Sequence, residues 1–86
     1  MNEPLELINS SITVFPNPAH GNDIFITIPF PTNEPTQYYI YNRMGQVIKN
    51  GRSYDGSINI EGIDTGIYLL YISDGKRSII TKFIRK

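Results

Sequence analysis

Ile67-Tyr68-Leu69-Leu70-Tyr71-Ile72-Ser73, followed by Asp74-Gly75 and then Arg77-Ser78-Ile79-Ile80-Thr81-Lys82-Phe83-Ile84, is the stretch that decides the fold. Both runs are rich in β-branched and aromatic residues, and Asp-Gly between such runs is a strong hairpin signal. Ile67 to Ile72 is apolar at odd and even positions alike. That pattern predicts a central strand of a sandwich rather than a half-exposed edge.

Working back from the hairpin, Glu61-Gly62-Ile63-Asp64-Thr65-Gly66 reads as a tight connection with Ile63 as its buried anchor. Ser57 to Ile60 reads as a strand with Ile58 and Ile60 on one face. Asn50-Gly51 and Asp55-Gly56 both read as turns, with a short edge strand or bulged loop between them. Gln37 to Tyr41 and Gln46 to Lys49 form two strands around Asn42-Arg43-Met44-Gly45, a turn whose glycine can take positive φ. Pro29 to Pro35 holds three prolines and is a loop. Ile24 to Ile28 and Ile12 to Phe15 are the second and first strands of the chain, with Ile24, Ile26 and Ile28 sharing a face. With no helical period anywhere and turns at ~8–12-residue spacing, the chain predicts an all-β, Ig-like two-sheet sandwich of about seven strands, largely antiparallel.

At 86 residues the chain is one domain that hides only ~60–65% of its unfolded surface, so its core is thin. Eight basic and eight acidic residues cancel, which argues against nucleic acid as a partner. Cysteine is absent, removing disulfides and thiolate metal sites. No apolar run approaches the ~20 residues that cross a bilayer, so membrane insertion is not expected. Met1-Asn2-Glu3-Pro4 lacks the basic and apolar regions of a signal peptide, which leaves either a cytosolic protein or a piece of a longer one.

Chemistry is sparsely represented. His20 is the single histidine and sits in a loop near Asp23, a possible hydrogen-bond partner, with no nucleophile constellation around it. His20 and Asp23 fall two ligands short of a closed zinc site, and the turn aspartates Asp55, Asp64 and Asp74 lack calcium-loop spacing. No enzyme, metal or cofactor is expected. Tyr38, Tyr39, Tyr41, Tyr68 and Tyr71 lie in strands, where packing accounts for tyrosine; stacking on sugar rings is the alternative. Asn9-Ser10-Ser11 matches a glycosylation sequon, a pattern too short to weigh.

Two features remain. Phe15-Pro16-Asn17-Pro18-Ala19 drives the first strand into a doubled proline, which fixes two φ angles and removes two donors. Lys82-Phe83-Ile84-Arg85-Lys86 closes the sequence on a strand with three basic residues. Such charge protects an edge strand from aggregation, or offers a surface that a partner grips by adding a strand.

In order, Phe15-Pro16-Asn17-Pro18-Ala19, Tyr39-Ile40-Tyr41-Asn42 with Gly45 and Val47, Ile58-Asn59-Ile60 with Ile63, Gly66-Ile67-Tyr68, and the basic end resemble one known pattern. It is the C-terminal sorting domain, type A, of cargo proteins of the type IX (Por) secretion system of Bacteroidota. Phe15 stands where tyrosine is usual and Asn42 where aspartate is usual, and Met44 precedes the turn glycine. The resemblance covers about Ile12 to Lys86 and implies a non-catalytic address label on an exported cargo. It implies residues 1–11 as a linker to an upstream cargo domain, open to a sortase-like surface protease. It also implies recognition by the outer-membrane translocon and by shuttle or attachment proteins, with passage through the periplasm to the cell surface or medium. Under this reading Lys82, Phe83, Ile84, Arg85 and Lys86, with Gly66 and Tyr68, are the recognition candidates. Phe15, Pro16, Asn17, Pro18, Gly45 and Ile63 carry the structural motif. A carbohydrate-binding or Ig-like adhesion module appended to an extracellular enzyme is the alternative.

Overall fold

The computed structural model describes residues 13–27 and 35–86. The expectations for the 1–11 linker, the sequon, Ile12, Ile28 and the proline-rich loop from 29 to 34 lie outside the described residues.

Among the described residues there are seven strands: β1 (Thr13–Phe15), β2 (Asp23–Thr27), β3 (Thr36–Tyr41), β4 (Val47–Ser53), β5 (Ser57–Asn59), β6 (Gly66–Ser73) and β7 (Ser78–Arg85). They form two antiparallel sheets in the orders β1-β2-β5 and β4-β3-β6-β7. The expected sandwich is therefore what the chain builds. Strand β6 lies between β3 and β7, the central position its two-faced apolar pattern predicted.

Alternation fills the space between the sheets. Val14, Ile24, Ile26 and Ile58 point inward from the smaller sheet; Tyr38, Ile40, Tyr68, Leu70, Ile72 and Phe83 point inward from the larger one. Each fully enclosed Ile, Leu or Phe contributes about 1.5–3 kcal/mol by leaving water. Ile63 and Ala19 enter the same core from connections rather than strands. The buried Thr36 hydroxyl is not orphaned, because it donates to the Ser53 carbonyl at 3.4 Å.

One turn expectation fails. Asn50-Gly51 does not end a strand but lies inside β4, with Tyr39 opposite Asn50 and Tyr38 opposite Gly51. The reason is spatial: the Tyr38 ring lies over Gly51, and a Cβ there would stand 3.0 Å from the hydroxyl and 3.2 Å from Cζ. Gly51 thus clears room for an inward tyrosine rather than reversing the chain. Arg52 and Ser53 of the segment that follows continue β4, and a register shift lies earlier in that strand, where Ile40 pairs with Lys49 and Tyr41 with Val47, leaving Ile48 unmatched.

The turn at Gly45 is built as expected. The Asn42 side-chain oxygen accepts from the Met44 and Gln46 amides at 2.9 and 3.0 Å, while Gly45 takes φ +82°. At the β6–β7 hairpin, the Asp74 carboxylate accepts from the Arg77 and Lys76 amides at 2.8 and 2.9 Å. Those bonds, Arg77's foremost, hold its pKa below the ordinary aspartate value.

Two outcomes follow. Gly51→Val is expected to lower unfolding free energy by about 1–3 kcal/mol in urea titrations, through overpacking against Tyr38. Because the Asp74 pKa is depressed, its stabilisation is present above the unfolded aspartate value and is lost as pH falls through the folded one. The Lys76 and Arg77 amide signals should therefore titrate with a midpoint below that of an ordinary aspartate; a midpoint at or above it contradicts the cap.

Candidate functional site

The two features that the sequence left at opposite ends of the chain meet in the fold. After β1, the peptide bonds Phe15-Pro16 and Asn17-Pro18 are both cis, and the chain leaves the smaller sheet for the edge of the larger one. There Ala19 pairs in parallel with Arg85. The Ala19 amide donates to the Ile84 carbonyl at 2.7 Å, and the Lys86 amide donates to the Ala19 carbonyl at 2.7 Å. Asn17 adds a side-chain bond, its Oδ1 accepting from the Ile84 amide at 3.0 Å.

Residue choice follows from this geometry. Pro16 and Pro18 have no N–H to satisfy, so Asn17 and Ala19 supply the polar contacts to β7. Ala19 is fully buried and joins the hydrophobic core. Arg85 then ties the corner to the β5–β6 connection: its Nε donates to the Ile63 carbonyl at 3.2 Å, and its Nη1 donates to the Gly21 carbonyl. A planar guanidinium can serve two diverging carbonyls in this way; a lysine ammonium is a single point on a flexible stem.

The remaining candidates divide by direction. Phe83 is fully enclosed and stacks on Tyr68, ring centroids 5.6 Å apart at 28°. The Tyr68 hydroxyl donates to the Asp64 carbonyl at 2.6 Å, and burial, with Asp64 adding and Arg85 opposing, pushes the phenol above its usual pKa. Gly66 stands opposite Arg85 in the β6–β7 register. Lys82 and Ile84 instead point out of the sandwich, opposite Leu69 and Ile67, and the Lys86 side chain is exposed. Phe15 also turns out, stacking on Phe25 at 5.8 Å, while its neighbour Val14 enters the core. Pro16, Asn17 and Pro18 line the exposed outside of the corner.

Residues 13–86 match the family described as the secretion system C-terminal sorting domain. The chain belongs to that family. The sorting domain is also similar in fold to a chain from a structure titled "Structural and functional probing of PorZ, an essential bacterial surface component of the type-IX secretion system of human oral-microbiomic Porphyromonas gingivalis", at TM-score 0.66 and 17% identity. That likeness covers 88% of this chain and only 11% of the other. No curated protein matches the sorting domain.

The site chemistry of the sorting domain is that of a surface. Among the described residues no cluster of three or more His, Cys, Asp or Glu is placed to hold a metal ion. His20 is exposed, and Asp23 accepts from the Asn59 amide at 3.5 Å rather than from His20. The five strand tyrosines split: Tyr38 and Tyr68 are buried, whereas Tyr39, Tyr41 and Tyr71 are half-buried on the outer face of the larger sheet. Tyr39 contacts both others, at 6.4 Å from Tyr41 and 5.9 Å from Tyr71.

Sequence reasoning missed this outer face. Tyr39, Tyr41, Ile67, Leu69, Ile80 and Ile84 share it by register, several of them 40–49% exposed. The signal in the sequence is β6, apolar on both sides, a pattern that a strand buried on both faces shares.

Asn17→Ala should remove one acceptor from the latch, costing about 0.5–1.5 kcal/mol and speeding hydrogen exchange at the Ile84 amide. Arg85→Met, which keeps the stem, should cost about 1–2 kcal/mol, since its charge-assisted bonds are partly exposed. Unchanged stability in both variants would contradict the latch.

Proposed function

We propose that this sorting domain is the non-catalytic address of a larger cargo protein, read by the type IX secretion system and carried across the outer membrane to the cell surface or medium. The observation that carries the reading is the family match over 13–86, which spans the Pro-Asn-Pro corner and the last strand that the fold joins. The fold shared with a chain of PorZ, a protein titled as a type IX surface component, supports it.

In this reading the periplasm is crossed in transit, and the outer-membrane translocon with shuttle and attachment proteins are the partners. Residues 1–11 are the linker to the cargo, where a sortase-like surface protease cuts. The recognition set narrows to side chains that reach solvent, Lys82, Ile84 and Lys86. Phe83, Arg85, Tyr68 and Gly66 act through the shape of the strand that presents them, as do Pro16, Asn17, Pro18, Gly45 and Ile63.

A carbohydrate-binding or Ig-like adhesion module is the second reading, favoured by the half-exposed Tyr39–Tyr71 pair. Retardation of the isolated domain in affinity gels of polysaccharide would support it.

The deciding experiment fuses the full chain to a periplasm-targeted reporter in a type IX-competent strain and in one lacking the translocon. Export only in the competent strain is expected, and Phe83→Ala should abolish it together with about 3–5 kcal/mol of stability. Equal export by both strains, or none by either, would overturn the reading.

A further inference from the structure

The corner covers only the end of the β7 edge. At Ile84 the amide and carbonyl point away from β6, toward Asn17 and Ala19. Backbone groups of an antiparallel strand alternate in direction, so those of Ile80 and Lys82 point to the same side. Among the described residues nothing bonds to them. An edge of this kind is a template for a further strand.

The side chains along it specify what fits. Ile80, Lys82 and Ile84 face outward, and Ile79 and Phe83 face the core. The Lys82 ammonium has no partner among the described residues and stands opposite exposed Leu69. By register, Arg52 shares the outer face but stands on β4 at the far edge of the sheet, where Asp74 lines the same depression, and β3, β4, β6 and β7 carry no acidic residue near Lys82. The described acids outside the β6–β7 hairpin, Asp23, Asp55, Glu61 and Asp64, belong to β2 and to the connections flanking β5.

We propose that the open β7 edge from Ser78 to Lys82 takes an extended segment of a partner protein, acidic opposite Lys82 and apolar opposite Ile80, ending against the Pro-Asn-Pro corner. Charge complementarity selects this partner over a second copy, whose β7 edge brings another Lys82 to the same patch. The corner supplies the precedent, since Asn17 and Ala19 already occupy the same edge one step further along. The proposal rests on the sorting reading for its partner, which belongs to the export machinery, and on β7 alone for its chemistry.

The test titrates the isotope-labelled full chain with a short synthetic peptide carrying Ile and Glu two positions apart among threonines, and with its twin bearing Lys for Glu. The largest shifts are expected at the Ile80 and Lys82 amides, with the acidic peptide bound about fivefold tighter. Lys82→Glu, an exposed change, should invert that preference. Ile80→Pro should abolish binding, because it removes an outward N–H without touching a β6–β7 bond. Shifts centred on β4 or on Phe15 and Phe25, or a preference that Lys82→Glu leaves unchanged, would overturn the proposal. Formation of a dimer that excludes the peptide would overturn it in favour of a second copy. In the reporter assay, export of the wild-type fusion that Lys82→Glu reduces severalfold supports the edge as the contact. Equal export by the two removes the machinery as its partner and overturns the proposal while the sorting reading stands. Inverted peptide preference with no wild-type export keeps the edge and overturns the sorting reading.

Discussion

The parallel pairing of Ala19 with the last strand is the contact on which the rest of the sorting domain depends. Two sheets stacked face to face are held by apolar side chains, which resist separation but specify direction poorly. Hydrogen bonds at 2.7 Å from Ala19 to Ile84 and from Lys86 to Ala19 fix one sheet against the other along one side. They require the chain to leave β1 at one position and in one direction, and Pro16 and Pro18 restrict it to few alternatives. Arg85 then binds the β1–β2 connection to the β5–β6 connection, so the last strand and two distant connections meet at one guanidinium.

This arrangement reassigns the basic end. Three cations in five residues read from sequence as one charged surface, yet they have three different settings. Arg85 is engaged with backbone carbonyls, Lys82 stands on an apolar outer face, and Lys86 has its backbone tied and its side chain in water. Shortening the chain by these residues would therefore disturb the fold as well as any contact. Loss of export on truncation alone would not distinguish recognition from folding, whereas exchanging single exposed side chains does.

What sequence could show followed from local chemistry. The β6–β7 hairpin, the Asn42–Gly45 turn, the inward set of β2 and the anchor Ile63 each depend on residues near one another in the chain, and each is found where expected. Asn50-Gly51 misled because glycine serves two needs, a positive φ in a turn and an absent Cβ beneath a ring. Only the cross-strand position of Tyr38 separates them. The pairing of the corner with Ile84 links residues 67 apart, and no periodicity encodes so distant a contact. An asparagine held between two residues without N–H groups was the one local hint that a side-chain acceptor was aimed elsewhere. The outer apolar face escaped notice for a related reason. Burial on both faces and exposure of one of them leave the same mark on a strand.

The most direct measurement is the scalar coupling transmitted across the hydrogen bond from the Ala19 amide nitrogen to the Ile84 carbonyl carbon in the labelled chain. A resolved coupling, with slow exchange at the Ala19 and Lys86 amides, is the predicted result. No coupling, with both amides exchanging as fast as those of an open loop, would contradict the account that the corner latches the last strand.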